Sequence, residues 1–95
     1  MEVVEIEKRI RKYLERDRKG IRKEILRIIL ESNVITTEDV HRKLLSKGYY
    51  INQRGVSAMI GLISAKLGIL RTELGEKNKY YLKREFENLL RELLK

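Results

Sequence analysis

A chain of 95 residues, 42% hydrophobic and 38% charged, has apolar material for one core and too little length for two. A single small domain with a densely charged surface is expected; its 22 Lys and Arg against 14 Asp and Glu leave a net charge of +8, which suits either an anionic partner or simple solubility. With no cysteine, disulfides, thiolate metal sites and cysteine nucleophiles are excluded.

The opening MEVVEIEKRI is acidic where a signal peptide needs positive charge, and no run approaches the ~18 apolar residues of a membrane span. A cytoplasmic protein with no membrane partner is therefore expected. Abundant Ile, Leu, Glu, Lys and Arg beside a single Gln match thermophile composition.

With no proline, glycines and capping residues carry the boundary information. Val3, Ile6, Ile10, Tyr13 and Leu14 recur at helical spacing, which predicts a first helix within residues 1–19, closed by the charged joint Arg16-Asp17-Arg18-Lys19-Gly20. Ile21, Ile25, Ile28 and Ile29 make the stripe of a second helix, ending at Ser32-Asn33. Thr36 followed three residues later by Asp39 is a capping-box variant that opens a third helix, carried by Val40, Leu44 and Leu45 to a left-handed stop at Gly48. Tyr49-Tyr50-Ile51 is a short apolar link. Asn52 caps a fourth helix whose buried stripe is Val56, Met59, Ile60, Ile63 and Leu67, with Gly68 as its stop. Ile69 to Leu74 and Lys79 to Leu82 are strands joined by the turn residues Gly75-Glu76-Lys77-Asn78, which predicts a β-hairpin. Phe86, Leu89, Leu90, Leu93 and Leu94 form the stripe of a last amphipathic helix within residues 83–95.

Helix, capped helix, tight link, helix and a hairpin with a basic tip is an order that resembles the winged helix-turn-helix. The resemblance covers residues 21–82. ILESNVITTEDVHRKLLSKGYYINQRGVS is similar to a run in the DNA-binding domain of the arginine-repressor family, and NKYYL ends the hairpin as that family does. Ferric-uptake-type regulators and small archaeal winged-helix proteins of unknown function are similar more loosely. The expected architecture is thus mainly α with a β-hairpin: one winged-helix domain over residues 1–95, with extra N- and C-terminal amphipathic helices. The resemblance makes Asn52 to Leu67 the recognition helix and Ile69 to Leu82 the wing. Arginine repressors carry a Ser-Arg pair in that helix, whereas here Ser57 is followed by Ala58, so their operator preference is not implied. Nor is arginine sensing, because no room remains for their effector domain, and the zinc-ligand clusters of ferric-uptake-type proteins are missing.

Duplex DNA binding requires cations on phosphates and a few polar side chains at base edges. For the first, Arg54 and Lys66 near the two ends of the recognition helix and Arg71, Lys77 and Lys79 on the wing would track a backbone, with Arg22, Lys23, Arg42 and Lys43 flanking it; the competing reading is a solvated charged surface. For the second, Asn52, Gln53, Arg54 and Ser57 would read the major groove. Ser57, Gly61 and Ala65 recur every four residues, a smooth stripe that lets the helix deep into a groove or seats a helix of a second protein. The expectation is a DNA-binding transcriptional regulator; the alternative is a winged-helix protein-interaction adaptor. Of Tyr80 and Tyr81, strand alternation sends one to the core. The terminal helices either fold back over the core or pair across a two-fold axis, and a homodimer through them is expected. No catalytic constellation is present: His41 reads as an exposed surface residue, Gly55 and Gly61 are not spaced as a phosphate loop, and Glu38-Asp39 is explained by capping. A non-enzyme without cofactor or metal is expected.

Overall fold

The computed structural model describes residues 2–17 and 19–95. Met1, and Arg18 of the expected charged joint, lie outside the described residues. The chain is mainly helical, with a small three-stranded antiparallel sheet.

Helix α1 (Glu2–Glu15) buries Ile6 and Ile10. The chain then turns through Gly20, at φ 78°, where only glycine is free of strain. Asp17 reaches across this joint: its carboxylate accepts the N–H groups of Arg22 and Lys23 at 3.2 and 3.0 Å, satisfying two of the amides that open α2 (Ile21–Ser32). Helix α2 is the central element, with Ile25, Leu26, Ile28 and Ile29 all buried. The one buried charged residue among those described, Glu24, lies on the same helix and meets Lys47 Nζ at 2.6 Å.

Asn33 ends α2 at positive φ and leads into β1 (Val34–Ile35). Helix α3 (Thr37–Ser46) opens with the expected capping box: Asp39 N–H donates to Thr36 Oγ1 at 3.2 Å, and Thr36 N–H donates to Asp39 Oδ2 at 3.3 Å. Gly48, at φ 90°, reverses the chain, and the link to the next helix is braced by His41. The His41 ring is half-buried, not a free surface group: since a carbonyl only accepts, Nε2–H donates to Ile51 O at 2.8 Å. Helix α4 (Gln53–Leu62) continues into a π-helical turn (Ile63–Leu67) that stops at Gly68, φ 70°. Val56, Ile60, Ile63 and Leu67 face inward and Met59 is half-buried, as the stripe predicts.

Strands β2 (Leu70–Glu73) and β3 (Lys79–Leu82) form the expected hairpin, but β1 adds to its far side, giving the order β1-β3-β2. A two-residue strand has no period to read, and its partner lies far along the chain: Ile35 pairs with Tyr80 and Val34 with Tyr81. Arg71 also pairs with Tyr81 and Thr72 with Tyr80. Ile35, Leu70, Tyr80 and Leu82 therefore share the core side, while Val34, Arg71 and Tyr81 share the outer side. Tyr80 is the tyrosine that packs on the core.

After a 3-10 turn (Arg84–Phe86), α5 (Glu87–Leu93) packs on α1 and α2. Phe86, Leu90 and Leu94 are buried with Ile6 and Ile10, so the two terminal helices fold back over the chain's own core. Among the described residues no helix is long and apolar enough to cross a membrane.

Candidate functional site

The inward stripe of α4 anchors the helix and leaves its opposite face open. Asn52, Gln53, Arg54, Ser57, Ala58, Gly61, Leu62, Ala65 and Lys66 are all exposed. Asn52 takes the N-cap position: its Oδ1 accepts Gly55 N–H at 2.7 Å. That oxygen is thereby committed to the helix, and only the side-chain NH₂ faces outward as a free donor. Gly55 is needed at this turn, because a Cβ there would lie 2.9 Å from Ile51 Cγ1.

An open groove of about 700 Å³ runs between this first turn of α4, the start of α3 and the hairpin tip. Gln53, Arg54, Ser57 and Ala58 line one side, Thr36, Thr37 and Glu38 the next, and Glu76, Lys77 and Asn78 of the hairpin tip the other, together with Tyr80. The tip is tied down by an ion pair, Lys77 Nζ to Glu38 Oε2 at 3.1 Å. Because α3 carries its own capping box, Glu38 occupies the first turn with its carboxylate free to meet Lys77. For Asp39 beside it, burial alone raises the carboxyl, but hydrogen bonds from the Thr36 side chain and backbone, with Arg42 nearby, hold it below the usual range.

The expected contact residues divide into three groups. Gln53, Arg54, Ser57 and Lys77 meet in the one groove, with Asn52 at its edge. Arg71 lies on the outer side of the sheet, its guanidinium 4.9 Å from the Tyr81 ring centroid, and Lys79 is exposed on β3 directly across from Glu73. Lys66 belongs to neither place: it lines a second groove with Arg9, Lys12, Tyr13, Arg16 and Arg22 of α1 and α2. Thr37, Glu38 and Asn78 line the first groove without having been expected as contacts. The capping box locates the start of α3 in the sequence, but nothing local shows that the hairpin tip will close against it.

In chemical terms the first groove offers the amides of Gln53 and Asn78, several hydroxyls, and two cations, Arg54 and Lys77, facing two carboxylates, Glu38 and Glu76, with Lys77 already paired to Glu38. It is equipped for polar contacts and hydrogen bonding rather than for charge alone. Among the described residues no group of three or more His, Asp or Glu side chains is placed to hold a metal ion.

The family described as "Protein of unknown function (DUF2551)" matches residues 10–90, and the chain belongs to it. An uncharacterized protein of Archaeoglobus fulgidus is 58% identical over 90 residues, covering 95% of this chain and 93% of its own. No solved structure gives a significant match.

Proposed function

We propose that this DUF2551 protein is a winged helix-turn-helix DNA-binding protein, a transcriptional regulator acting in the cytoplasm without cofactor or catalytic step. Helix α4 enters the major groove, and the β2–β3 hairpin lies on the backbone as the wing. The observation that carries this is the juxtaposition of Gln53, Arg54 and Ser57 with Lys77 across one open groove, on a chain of net charge +8. Base readout needs polar side chains at the exposed start of a helix, which Gln53, Arg54 and Ser57 supply, and affinity needs a cation beside them for phosphate, which Lys77 supplies once a phosphate displaces Glu38 from it. The order α2, β1, α3, α4, β2, β3 with sheet order β1-β3-β2 agrees with the winged arrangement.

Arg54 is the leading candidate to read a guanine edge and Gln53 an adenine edge, while the Asn52 NH₂, its oxygen held by the cap, donates to a base acceptor such as adenine N7. Arg71 and Lys79 serve the backbone. Pairing of two copies belongs to the same proposal, but α1 and α5 spend most of their apolar surface internally and leave chiefly Val3 and Val4 exposed. The pairing is accordingly weak in solution and forms on a palindromic site.

Selection from a randomised duplex pool at several salt concentrations tests the proposal. A shared motif, with log K falling linearly in log salt, supports it. Retained sequences that share nothing, or no binding near physiological salt, overturn it. The second reading, an adaptor that docks a partner helix on α4, has Leu62 in its favour: this leucine is 47% exposed on the outward face, beside Gly61, whose surroundings are open. A stable co-purifying protein released by Leu62→Glu, together with sequence-blind DNA binding, would establish it instead.

A further inference from the structure

We infer that the groove between α1 and the C-terminal end of α4 is a second DNA-backbone clamp, in which Lys12, Arg16 and Lys66 hold phosphates of the strand opposite the one gripped by the hairpin tip. This rests on the DNA-binding role proposed above.

The groove, of about 610 Å³, is lined by Arg9, Lys12, Tyr13, Arg16, Arg22 and Lys66 and, among the described residues, by no carboxylate. Two of these cations are already engaged by the fold. Arg9 lies 3.7 Å from Glu5 on its own helix, and Arg22 stacks over Tyr13 at 4.5 Å while its Nη1–H donates to Tyr13 O at 2.9 Å. Lys12, Arg16 and Lys66 are exposed and, among the described residues, make no ion pair. Packing does not explain three free cations converging on one concave surface. The Tyr13 phenol on the floor of the groove is uncharged at neutral pH, as any phenol with a pKa of 10 or above is, so it adds no negative charge there.

The spacing selects the ligand. Lys12 stands in the last turn of α1 and Arg16 directly after the helix ends, four residues on, about 6 Å at 1.5 Å per residue. Neighbouring phosphates of one strand are displaced around the duplex as well as along its axis, so two cations about one helical turn apart suit two successive phosphates, whereas a single phosphate ester meets only one of them.

The position selects it too. Arg54 and Lys66 are separated by eight α-helical steps of α4, about 12 Å at 1.5 Å per residue, and then most of the π-helical turn, a span that exceeds the ~12 Å width of the major groove. A helix seated there brings its two ends to the two bounding strands. The exposed run Arg54, Ala58, Gly61, Leu62 and Ala65 connects the two grooves along one face without an intervening acid.

The test is a salt titration of binding to a mixed-sequence duplex of about 30 base pairs by wild type, Lys12→Gln, Arg16→Gln and Arg11→Gln. Each of K12Q and R16Q is expected to lower the slope of log K against log salt by about 0.9, the value for one lost phosphate contact, and to leave base preference unchanged. R11Q, on the far side of α1 where Arg11 pairs with Glu7, is expected to leave the slope as in wild type. Wild-type slopes in K12Q and R16Q, with wild type binding well, overturn the clamp alone. An equal drop in R11Q also overturns it, because the effect is then the overall field and not contact. Absence of wild-type binding overturns both the clamp and the DNA-binding role beneath it.

Discussion

The ammonium of Lys77, at the tip of the hairpin, sits 3.1 Å from the carboxylate of Glu38 in the first turn of α3. The contact joins residues 39 positions apart, both of which line the groove that α4 opens onto. Both side chains are largely exposed, so the pair adds no more than about 1 kcal/mol to stability. Its larger effect is electrostatic: Glu38 occupies the cation that a phosphate would otherwise meet and places a like charge in that phosphate's path. Glu38→Gln is expected to free Lys77, tighten DNA binding at low salt and steepen the salt slope by about 0.9. Weaker binding by E38Q would mean that the pair serves to hold the hairpin in place, and the competitive role would be lost.

Arg54 and Lys79 separate readout from adhesion. Arg54 stands on the groove wall beside Gln53 and Ser57, in reach of a base edge, whereas Lys79 projects from β3 next to the tip. Arg54→Ala is expected to cost about 1–3 kcal/mol on the best site and to relax preference at one base position. Lys79→Ala should weaken all sequences alike and reduce the salt slope by about 1. Competition binding against single-base variants of the selected site measures both. Equal losses on every sequence for R54A would remove it from base readout.

Features that depend on near neighbours were legible in the sequence. The Thr36–Asp39 box, the left-handed stops at Gly48 and Gly68 and the inward stripe of α4 each arise within a turn or two, from the energetics of an orphan amide, a positive φ or a buried face. Features that depend on tertiary closure were not. Val34 and Ile35 form a strand only because β3 presents a free edge to them, and His41 becomes a brace only because Ile51 returns its carbonyl to α3. The same distinction divides the candidate site. Asn52 through Ser57 are contiguous on one helix and stay together, but Lys66 joins α1 because the first helix packs against the end of α4, and Arg71 turns to Tyr81 because the two are paired across the sheet.

Asn52 is both a cap and a candidate reader, and the two roles come apart by substitution. Its Oδ1 accepts Gly55 N–H at 2.7 Å, so Asn52→Ala is expected to lose about 1 kcal/mol of stability in denaturant unfolding. Asn52→Ser keeps a capping oxygen and should unfold close to wild type, while removing the outward NH₂. If that amide reads an adenine edge, N52S binds the selected site more weakly despite its intact fold. Full affinity in N52S would confine Asn52 to capping.

Alkaline conditions probe the link between α1 and α2. Burial raises the Tyr13 phenol from 10.0 to about 12, while the Glu24 carboxylate, by hydrogen bonding, raises the Lys47 ammonium. In both cases the native state holds its proton more tightly than the unfolded chain. The stability each provides is therefore complete below the ordinary pKa, near 10.0 for Tyr13 and 10.5 for Lys47, and is lost as pH rises through the folded value. Asp39 works in the opposite sense: its lowered carboxyl stabilises above the ordinary 3.8, and that contribution fades as pH falls through the folded value. Unfolding midpoints should accordingly fall off at both extremes. Absorbance titration is expected to show one of the five tyrosines ionising near pH 12, and Tyr13→Phe should abolish that late transition and flatten the loss of stability above pH 10. Retention of the late transition in Y13F would assign it to another tyrosine.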